Sequence, residues 1–176
     1  METSLRRLLE RGTADQAALG APGRQDLTHA ELRALVDRTL STLNSMGIGR
    51  NDRLAIVLPN GPEMAACFVA AACGVATAPL NPAYRAEEFE FYLSDLNARA
   101  LVVERGSTSP AVEVAQRMGV PVIELVPELS AGAGSFTLQC AQPPGTAAAH
   151  PGLAQPGDVS MVLHTSGTTS RPKSCP

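Results

Sequence analysis

Residues 52–80 read DRLAIVLPNGPEMAACFVAAACGVATAPL, and this stretch decides the fold class of the chain. Arg53 to Leu58 is a short apolar run typical of a buried strand, and Pro59 to Pro62 is rich in turn-forming residues. A helix is expected from about Glu63 to Cys73, followed by a second strand from Val75 to Leu80. Because this helix is apolar on all sides, we expect it to be sandwiched between other elements.

The same alternation continues toward the C-terminus. We expect helices at Glu87 to Leu96 and Ala111 to Met118, and strands at Arg99 to Val103 and Val120 to Leu125. Residues Phe136, Leu138 and Cys140 alternate with polar ones, which is compatible with an edge strand. The pattern predicts an α/β fold with a parallel sheet flanked by helices. No G-x-G-x-x-G follows a strand, so a dinucleotide site is not predicted.

The N-terminal part is predicted to be helical. Met1 to Glu10 has no continuous apolar segment of the kind found in secretory signals, and it fits a short amphipathic helix. Thr28-His29-Ala30-Glu31 has the spacing of a capping box, so a helix should begin there. Leucine and valine recur every three to four residues from Leu32 to Leu43, and Gly47 is placed to end this helix. We expect His29 to face solvent.

Composition restricts the function classes. The chain has 176 residues, 44% hydrophobic and 18% charged, with a net charge of −3. With no basic run longer than Arg6-Arg7, a nucleic-acid partner is not expected. The apolar run from Met64 to Leu80 is interrupted and alanine-rich, so no membrane span is predicted. Four cysteines lack C-x-x-C or ligand spacing, which indicates reduced thiols, no metal site and a cytoplasmic location: Cys67, Cys73, Cys140 and Cys175.

The strongest functional signal is near the C-terminus, where residues 161–173 read MVLHTSGTTSRPK. A strand expected at Val159 to Leu163 leads into Thr165 to Ser170, where five of six residues carry a hydroxyl group and the sixth is Gly167. Short donors, a flexible backbone and nearby cations suit a bound phosphate chain. A polar surface loop is an alternative interpretation. A nucleoside-triphosphatase P-loop fits poorly, because Pro172 stands where that motif requires Gly.

The pattern T-S-G-T-T-x-R-P-K after an apolar strand resembles the phosphate loop of the adenylate-forming superfamily, which includes acyl-CoA synthetases. Residues 52–63 and 78–85 also resemble the N-terminal subdomain of these synthetases, nearest to the oxalate-CoA ligase branch. The resemblance covers Leu5 to Lys173. Ser170 and Ser174 replace glycines that are commoner in the family. The resemblance implies that six residues bind the ATP phosphates: Thr165, Ser166, Gly167, Thr168, Thr169 and Lys173.

Within the second matching segment, Asn81, Pro82 and Tyr84 have two interpretations, a turn with an aromatic anchor and a direct ligand role. We expect the turn at least as much as the ligand role, and we do not count these three residues among the site residues.

The resemblance further implies a truncated ATP-dependent carboxylate-CoA ligase, which forms an acyl adenylate and then a thioester from oxalate or another small or medium carboxylic acid. ATP, Mg²⁺ and CoA are expected for the full-length parent, with a small-molecule carboxylate and a nucleotide as partners and the peroxisome as a further location. The adenine segment, the ribose carboxylate and the C-terminal catalytic lysine are not found here, so this chain is expected to carry no catalytic residue and to be inactive alone. A non-catalytic interaction domain and a small phosphate-binding domain are the alternatives.

On this interpretation residues 1–176 are a partial N-terminal AMP-binding domain, an incomplete N-terminal subdomain of an adenylate-forming enzyme fold with the C-terminal domain absent. Its expected parts are a helical entry, a βαβ sheet section, an Ala/Gly/Pro-rich surface connection, and the strand with the phosphate loop: 1–50, 51–128, 129–157 and 158–176. Residues 174–176 are interpreted as a tail from a truncated transcript, gene model or splice variant. Low stability of the isolated chain is expected.

Overall fold

A computed structural model describes residues 4–165 and 173–175 of the chain. The described residues form five helices and nine strands, in this order: α1 Leu5–Leu9, β1 Ala17–Leu19, β2 Leu27–Thr28, α2 His29–Ser45, β3 Arg53–Val57, α3 Pro62–Ala72, β4 Ala76–Pro79, α4 Ala86–Asp95, β5 Ala100–Glu104, α5 Pro110–Arg117, β6 Val122–Pro127, β7 Phe136–Gln139, β8 Leu163–Thr165 and β9 Lys173–Cys175. Each predicted helix is present, which confirms the alternation expected from the sequence.

Helix α2 begins and ends where its capping signals predict. The Thr28 hydroxyl accepts a hydrogen bond from the Glu31 backbone N–H at 3.2 Å, and the Glu31 carboxylate accepts one from the Thr28 N–H at 2.8 Å. These reciprocal bonds satisfy two backbone groups that the first helical turn leaves free. Gly47 follows the helix with a φ of 82°, a backbone conformation that glycine adopts readily and that is strained for residues with a Cβ atom.

Five strands form the central sheet in the order β4-β3-β5-β6-β7. The first four are parallel, as predicted, and β7 is an edge strand that runs antiparallel to β6. The parallel sheet and the edge strand predicted at Phe136 to Cys140 are thus both present, and the antiparallel direction of β7 is new information from the structure. Only residues 128–135 separate β6 from β7, and a parallel connection needs a crossover of a dozen residues or more.

Helices cover both faces of the sheet. Successive side chains of a strand point to opposite faces, so each strand contributes to both hydrophobic cores. Leu54 and Ile56 of β3 join the core beneath α2 and α3, whereas Ala55 and Val57 join the core beneath α4 and α5. The apolar helix α3 is indeed enclosed between the sheet and α2, since its alanine and cysteine side chains contribute to clusters on both sides.

Two of the cysteines are buried, as their apolar surroundings predict. Burial raises the pKa of Cys67 to about 12 and, as the main cause, that of Cys73 to about 11. The thiolate is the reactive form, so both thiols are held in their unreactive state at neutral pH. Cys140 is half-buried.

The connection between β6 and β8 is packed more closely than its composition suggests. Ala133 is fully buried, and its N–H donates to the Gln25 carbonyl at 2.8 Å. Arg24 pairs with Glu63 at the start of α3 and also donates to the Glu128 carbonyl at 3.4 Å. The expectation of a purely exposed surface connection is therefore wrong for its first part. Alanine and glycine are common in exposed loops, but in residues 132–134 they are small enough to lie against other parts of the backbone.

His29 also differs from expectation, because its ring is half-buried against Gly12. Its Nδ1 atom has no hydrogen-bond partner among the residues that the structure describes. The antiparallel β1–β2 ribbon was not predicted from the sequence. Within residues 4–165 and 173–175, no helix is long and apolar enough to cross a membrane.

Candidate functional site

The segment that leads to the hydroxyl-rich loop lies along the free edge of β4. The Thr77 N–H and hydroxyl both donate to the Ser160 carbonyl, at 3.0 and 2.8 Å, and the Val162 N–H donates to the Thr77 carbonyl at 2.8 Å. These bonds form a parallel bridge between Thr77 and Met161. The segment that precedes the loop is therefore fixed to the edge of the central sheet.

A second attachment lies a few residues earlier, at Asp158. Its carboxylate accepts hydrogen bonds from the Gln155 N–H at 2.7 Å, the Asn51 side chain at 2.7 Å and the Arg50 guanidinium at 3.2 Å. The bonds from Gln155 and Asn51, with a smaller contribution from Arg50, lower the pKa of Asp158 from its ordinary value. The Asn51 side chain in turn accepts from the Val159 N–H at 3.0 Å. The turn before β3 therefore fixes where the terminal segment starts.

We expect Thr77→Val to lower the free energy of unfolding by about 1 kcal/mol, because it removes a buried hydrogen bond without changing side-chain volume. Thr39→Val is the matched control, since Thr39 is also buried but its hydroxyl has no partner in the described part of the chain. The control should be neutral or slightly stabilising. Urea denaturation of both variants measures the difference, and equal effects would contradict the anchoring role of Thr77.

Strands β8 and β9 form an antiparallel pair that closes the loop. In its register Leu163 lies opposite Cys175, His164 opposite Ser174, and Thr165 opposite Lys173. Of the six predicted phosphate-binding residues, Thr165 and Lys173 are thus on directly opposed positions, where Cα atoms are about 4.5–5.5 Å apart. Ser166, Gly167, Thr168 and Thr169 lie outside the described residues.

The strand was predicted at Val159 to Leu163, but β8 begins only at Leu163. Residues 160–162 contact β4 through a single bridge, and the antiparallel pairing with β9 starts beyond it. Val162 is buried, while Met161 and Leu163 are 38% and 43% exposed. The apolar run is therefore half-buried with alternating exposure, not a fully buried strand.

His164 is a residue of this site that the sequence analysis missed. Its side chain is 4% exposed, and Nε2 lies 3.1 Å from the Asp95 carboxylate at the end of α4. The imidazole ring also meets the Tyr92 ring edge-to-face, with centroids 4.6 Å apart. The available signal was the period of two along the strand, which places His164 on the same side as the buried Val162.

The turn at residues 81–84 forms the aromatic anchor that the sequence suggested. The Asn81 side chain accepts from the Ala83 N–H at 2.9 Å, and the Tyr84 ring stacks on Tyr92 with centroids 4.9 Å apart. Burial, followed by the hydrogen bond and charge of Tyr84, raises the pKa of Tyr92 to about 12. Tyr92 therefore stays a neutral phenol beside His164 over the physiological range.

No cluster of three or more His, Cys, Asp or Glu side chains suited to a metal ion occurs in the part of the chain that the structure describes.

Comparison with known proteins places this chain in a family. The sequence profile of the family described as AMP-binding enzyme matches residues 7–176. The chain is 40% identical over 165 residues to the oxalate–CoA ligase of Arabidopsis thaliana, which covers 92% of this chain and 32% of the relative. It is 30% identical to the 3-hydroxybenzoate–CoA ligase of Aromatoleum sp. over 170 residues, which covers 94% of this chain and 31% of that protein.

Among solved structures, the chain resembles apo MatB from Rhodopseudomonas palustris with a TM-score of 0.74 and 22% identity, over 99% of this chain and 34% of that one. At this identity the likeness concerns the fold alone. The chain belongs to the AMP-binding enzyme family, and the two relatives named above are CoA ligases. It spans about a third of the length of the relatives it matches.

Proposed function

We propose that this chain supplies the phosphate-binding part of an ATP-dependent carboxylate–CoA ligase. The observation that carries the proposal is the β8–β9 pair, which brings the first and last of the predicted phosphate-binding residues, Thr165 and Lys173, to opposite positions. The residues between them include three further hydroxyl side chains, at Ser166, Thr168 and Thr169, and one glycine. A loop held at both ends in this way can surround a chain of phosphates.

The role of each residue type follows from the chemistry of a triphosphate. Hydroxyl and backbone N–H groups donate hydrogen bonds to phosphate oxygens, and the lysine ammonium offsets their negative charge. Holding the β- and γ-phosphates leaves the α-phosphorus open to attack by a substrate carboxylate oxygen. The bond from the α-phosphorus to the bridging oxygen then breaks and pyrophosphate leaves, giving an acyl adenylate. In the second step the thiol of CoA attacks the acyl carbon and AMP leaves.

This chain then acts by binding and orienting ATP and by offsetting the charge of the phosphates through Lys173. We assign it no catalytic residue in the sense of a group that forms a bond or transfers a proton. The complete enzyme would use Mg²⁺ to neutralise the phosphates, as is general for enzymes that act on nucleoside triphosphates. Binding energy at the phosphates contributes to catalysis because it positions the α-phosphorus relative to the carboxylate. We propose the cytoplasm as the location, in keeping with the buried, reduced Cys67 and Cys73.

For the substrate we propose oxalate, or another small to medium carboxylic acid. The support is the 40% identity to an oxalate–CoA ligase, compared with 30% to a ligase of 3-hydroxybenzoate. An oxalate ligase must accept an acid whose second carboxylate stays charged during the reaction. The site for that charge would discriminate strongly, because a buried polar group left without its partner is costly.

The test is pyrophosphate release by the complete gene product with ATP, Mg²⁺ and CoA, using oxalate, acetate and 3-hydroxybenzoate in parallel. We expect turnover with a carboxylate, and the highest kcat/KM with oxalate. Turnover with another acid but not with oxalate would correct the substrate only. ATP binding without pyrophosphate release from any of the three acids would contradict ligase activity on them and favour a phosphate-binding domain.

A further inference from the structure

The contact between His164 and α4 has a consequence for the loop. His164 immediately precedes Thr165, the first predicted phosphate-binding residue, and lies opposite Ser174, which immediately follows Lys173. It is therefore next to both ends of the loop at once. We propose that His164 is a positioning residue, which sets the orientation of the phosphate loop by fixing β8 to Asp95 and Tyr92 of α4. This rests on the proposed binding of ATP and names a determinant of it.

Two contacts of different kinds hold the imidazole in place. A carboxylate only accepts hydrogen bonds, so the Nε2 atom 3.1 Å from Asp95 carries a proton and donates it. The edge-to-face contact with Tyr92 fixes the plane of the ring, and Tyr92 is itself stacked on Tyr84. With only 4% of its side chain exposed, His164 has little room for another rotamer. The hydrogen bond to Asp95 fixes the direction of Nε2 and the contact with Tyr92 fixes the plane of the ring, so together they determine the orientation of the side chain.

The position of Asp95 argues that its contact with His164 is specific. Asp95 is the last residue of α4, where unpaired carbonyl groups make a negative charge unfavourable. A hydrogen-bond donor from outside the helix compensates for this, and His164 supplies it. Glu88 is a further charged group that affects this cluster, since its charge helps to raise the pKa of Tyr92.

The pairing of β8 with β9 transmits this position to the far side of the loop. A shift of one residue in the register of a strand pair moves every side chain to the opposite face. If β8 were free to shift or rotate, Thr165 and Lys173 would no longer stand opposite each other. The contact of His164 with α4 prevents this, because a shift would expose the buried side chains of Val162 and His164. The structure thus links phosphate binding to the C-terminal end of α4.

The experiment uses the complete gene product with four substitutions. His164→Phe keeps an aromatic ring against Tyr92 but removes the donor, and Asp95→Ala removes the acceptor. Asp95→Asn keeps an acceptor oxygen and should restore part of the function. Glu90→Ala is the matched control, because Glu90 lies on the same helix and is ion-paired with Arg117 at 2.9 Å, but it does not contact His164.

We expect His164→Phe and Asp95→Ala each to raise the KM for ATP in the pyrophosphate-forming step by about ten-fold, since small displacements of a positioning group have effects of this size or larger. Asp95→Asn should lie between Asp95→Ala and the unmodified protein, and Glu90→Ala should have no effect. The rate of thioester formation from preformed acyl adenylate and CoA should stay unchanged in all four. A variant with merely lowered stability would instead lose both steps together.

Direct binding of MgATP, measured by isothermal titration calorimetry, separates the two levels of the proposal. If the unmodified protein binds ATP and the His164→Phe and Asp95→Ala variants bind it equally well, the role of His164 is overturned and the proposed function stays intact. No ATP binding by the unmodified protein would overturn both. Weaker binding in His164→Phe and Asp95→Ala with partial recovery in Asp95→Asn supports the role, and the thermal unfolding midpoint of each variant shows that it is folded.

Discussion

Lys173→Ala is expected to reduce carboxylate-dependent pyrophosphate release by the complete gene product about 100-fold, the scale on which single groups that stabilise developing negative charge act. Lys173 is the only lysine in this sequence, and its strand pairs it with Thr165 at the closing end of the loop. Without it the charge of the bound triphosphate is offset less, and pyrophosphate is a poorer leaving group. Steady-state kinetics with saturating ATP, carboxylate and CoA measure the effect.

Lys173→Arg is the informative companion to this variant. Arginine keeps the positive charge but has a broader, planar head group, so partial activity is expected if charge is the main contribution. Stability should change little in either variant, because the lysine is proposed to act on the ligand. If Lys173→Ala releases pyrophosphate at the unmodified rate, Lys173 does not bind the phosphates.

The second large effect is expected at Gly134, in the connection that the sequence analysis placed on the surface. Gly134 has a φ of 84°, and a Cβ added there would lie 2.7 Å from the Pro62 carbonyl oxygen and 2.6 Å from a Leu19 methyl group. The clash with backbone at the start of α3 cannot be relieved by a side-chain rotation. We expect Gly134→Ala to lower the free energy of unfolding by about 3–4 kcal/mol, combining backbone strain with overpacking.

Gly119→Ala separates these two contributions. Gly119 has a φ of 70°, yet nothing lies within 4 Å of a Cβ placed on it. It should therefore lose only the backbone part, about 1–2 kcal/mol. Urea denaturation measures the free energy of unfolding of both variants. The difference between their losses is the contribution from close packing of the connection against β1 and α3. Equal losses would show that Gly134 is not closely packed.

Much of the fold was predictable because its elements carry local signals. The capping box at Thr28 and the turn at residues 59–62 each depend on neighbours in the chain. The β1–β2 ribbon and the packing of Ala133 were not predictable in this way. The two strands of the ribbon have only three and two residues, too few to show an alternating pattern. The packing of residues 133–134 depends on Gln25 and Leu19, which are far away in sequence, and on small side chains that permit a close approach.

The candidate site was predictable to a different degree. The hydroxyl-rich segment and Lys173 could be proposed from the sequence, because phosphate binding requires those residue types close together in the chain. Their role in phosphate binding stays a prediction. His164 could not be recognised from the sequence, since its role depends on contacts with Asp95 and Tyr92, which α4 places next to it only in the folded chain. Thr77 was missed for the same reason, because its bond to Ser160 joins residues that are distant in sequence.

The most direct test of the account is amine-selective labelling of Lys173 in the complete gene product, quantified by peptide mass spectrometry. Labelling is compared without ligand and with MgATP, inorganic tripolyphosphate or AMP, at ATP concentrations that support full pyrophosphate release. If the loop holds the β- and γ-phosphates, ATP and tripolyphosphate should protect Lys173, whereas AMP should protect it little. Labelling of Lys173 that is the same with and without ATP would contradict the proposed phosphate-binding loop.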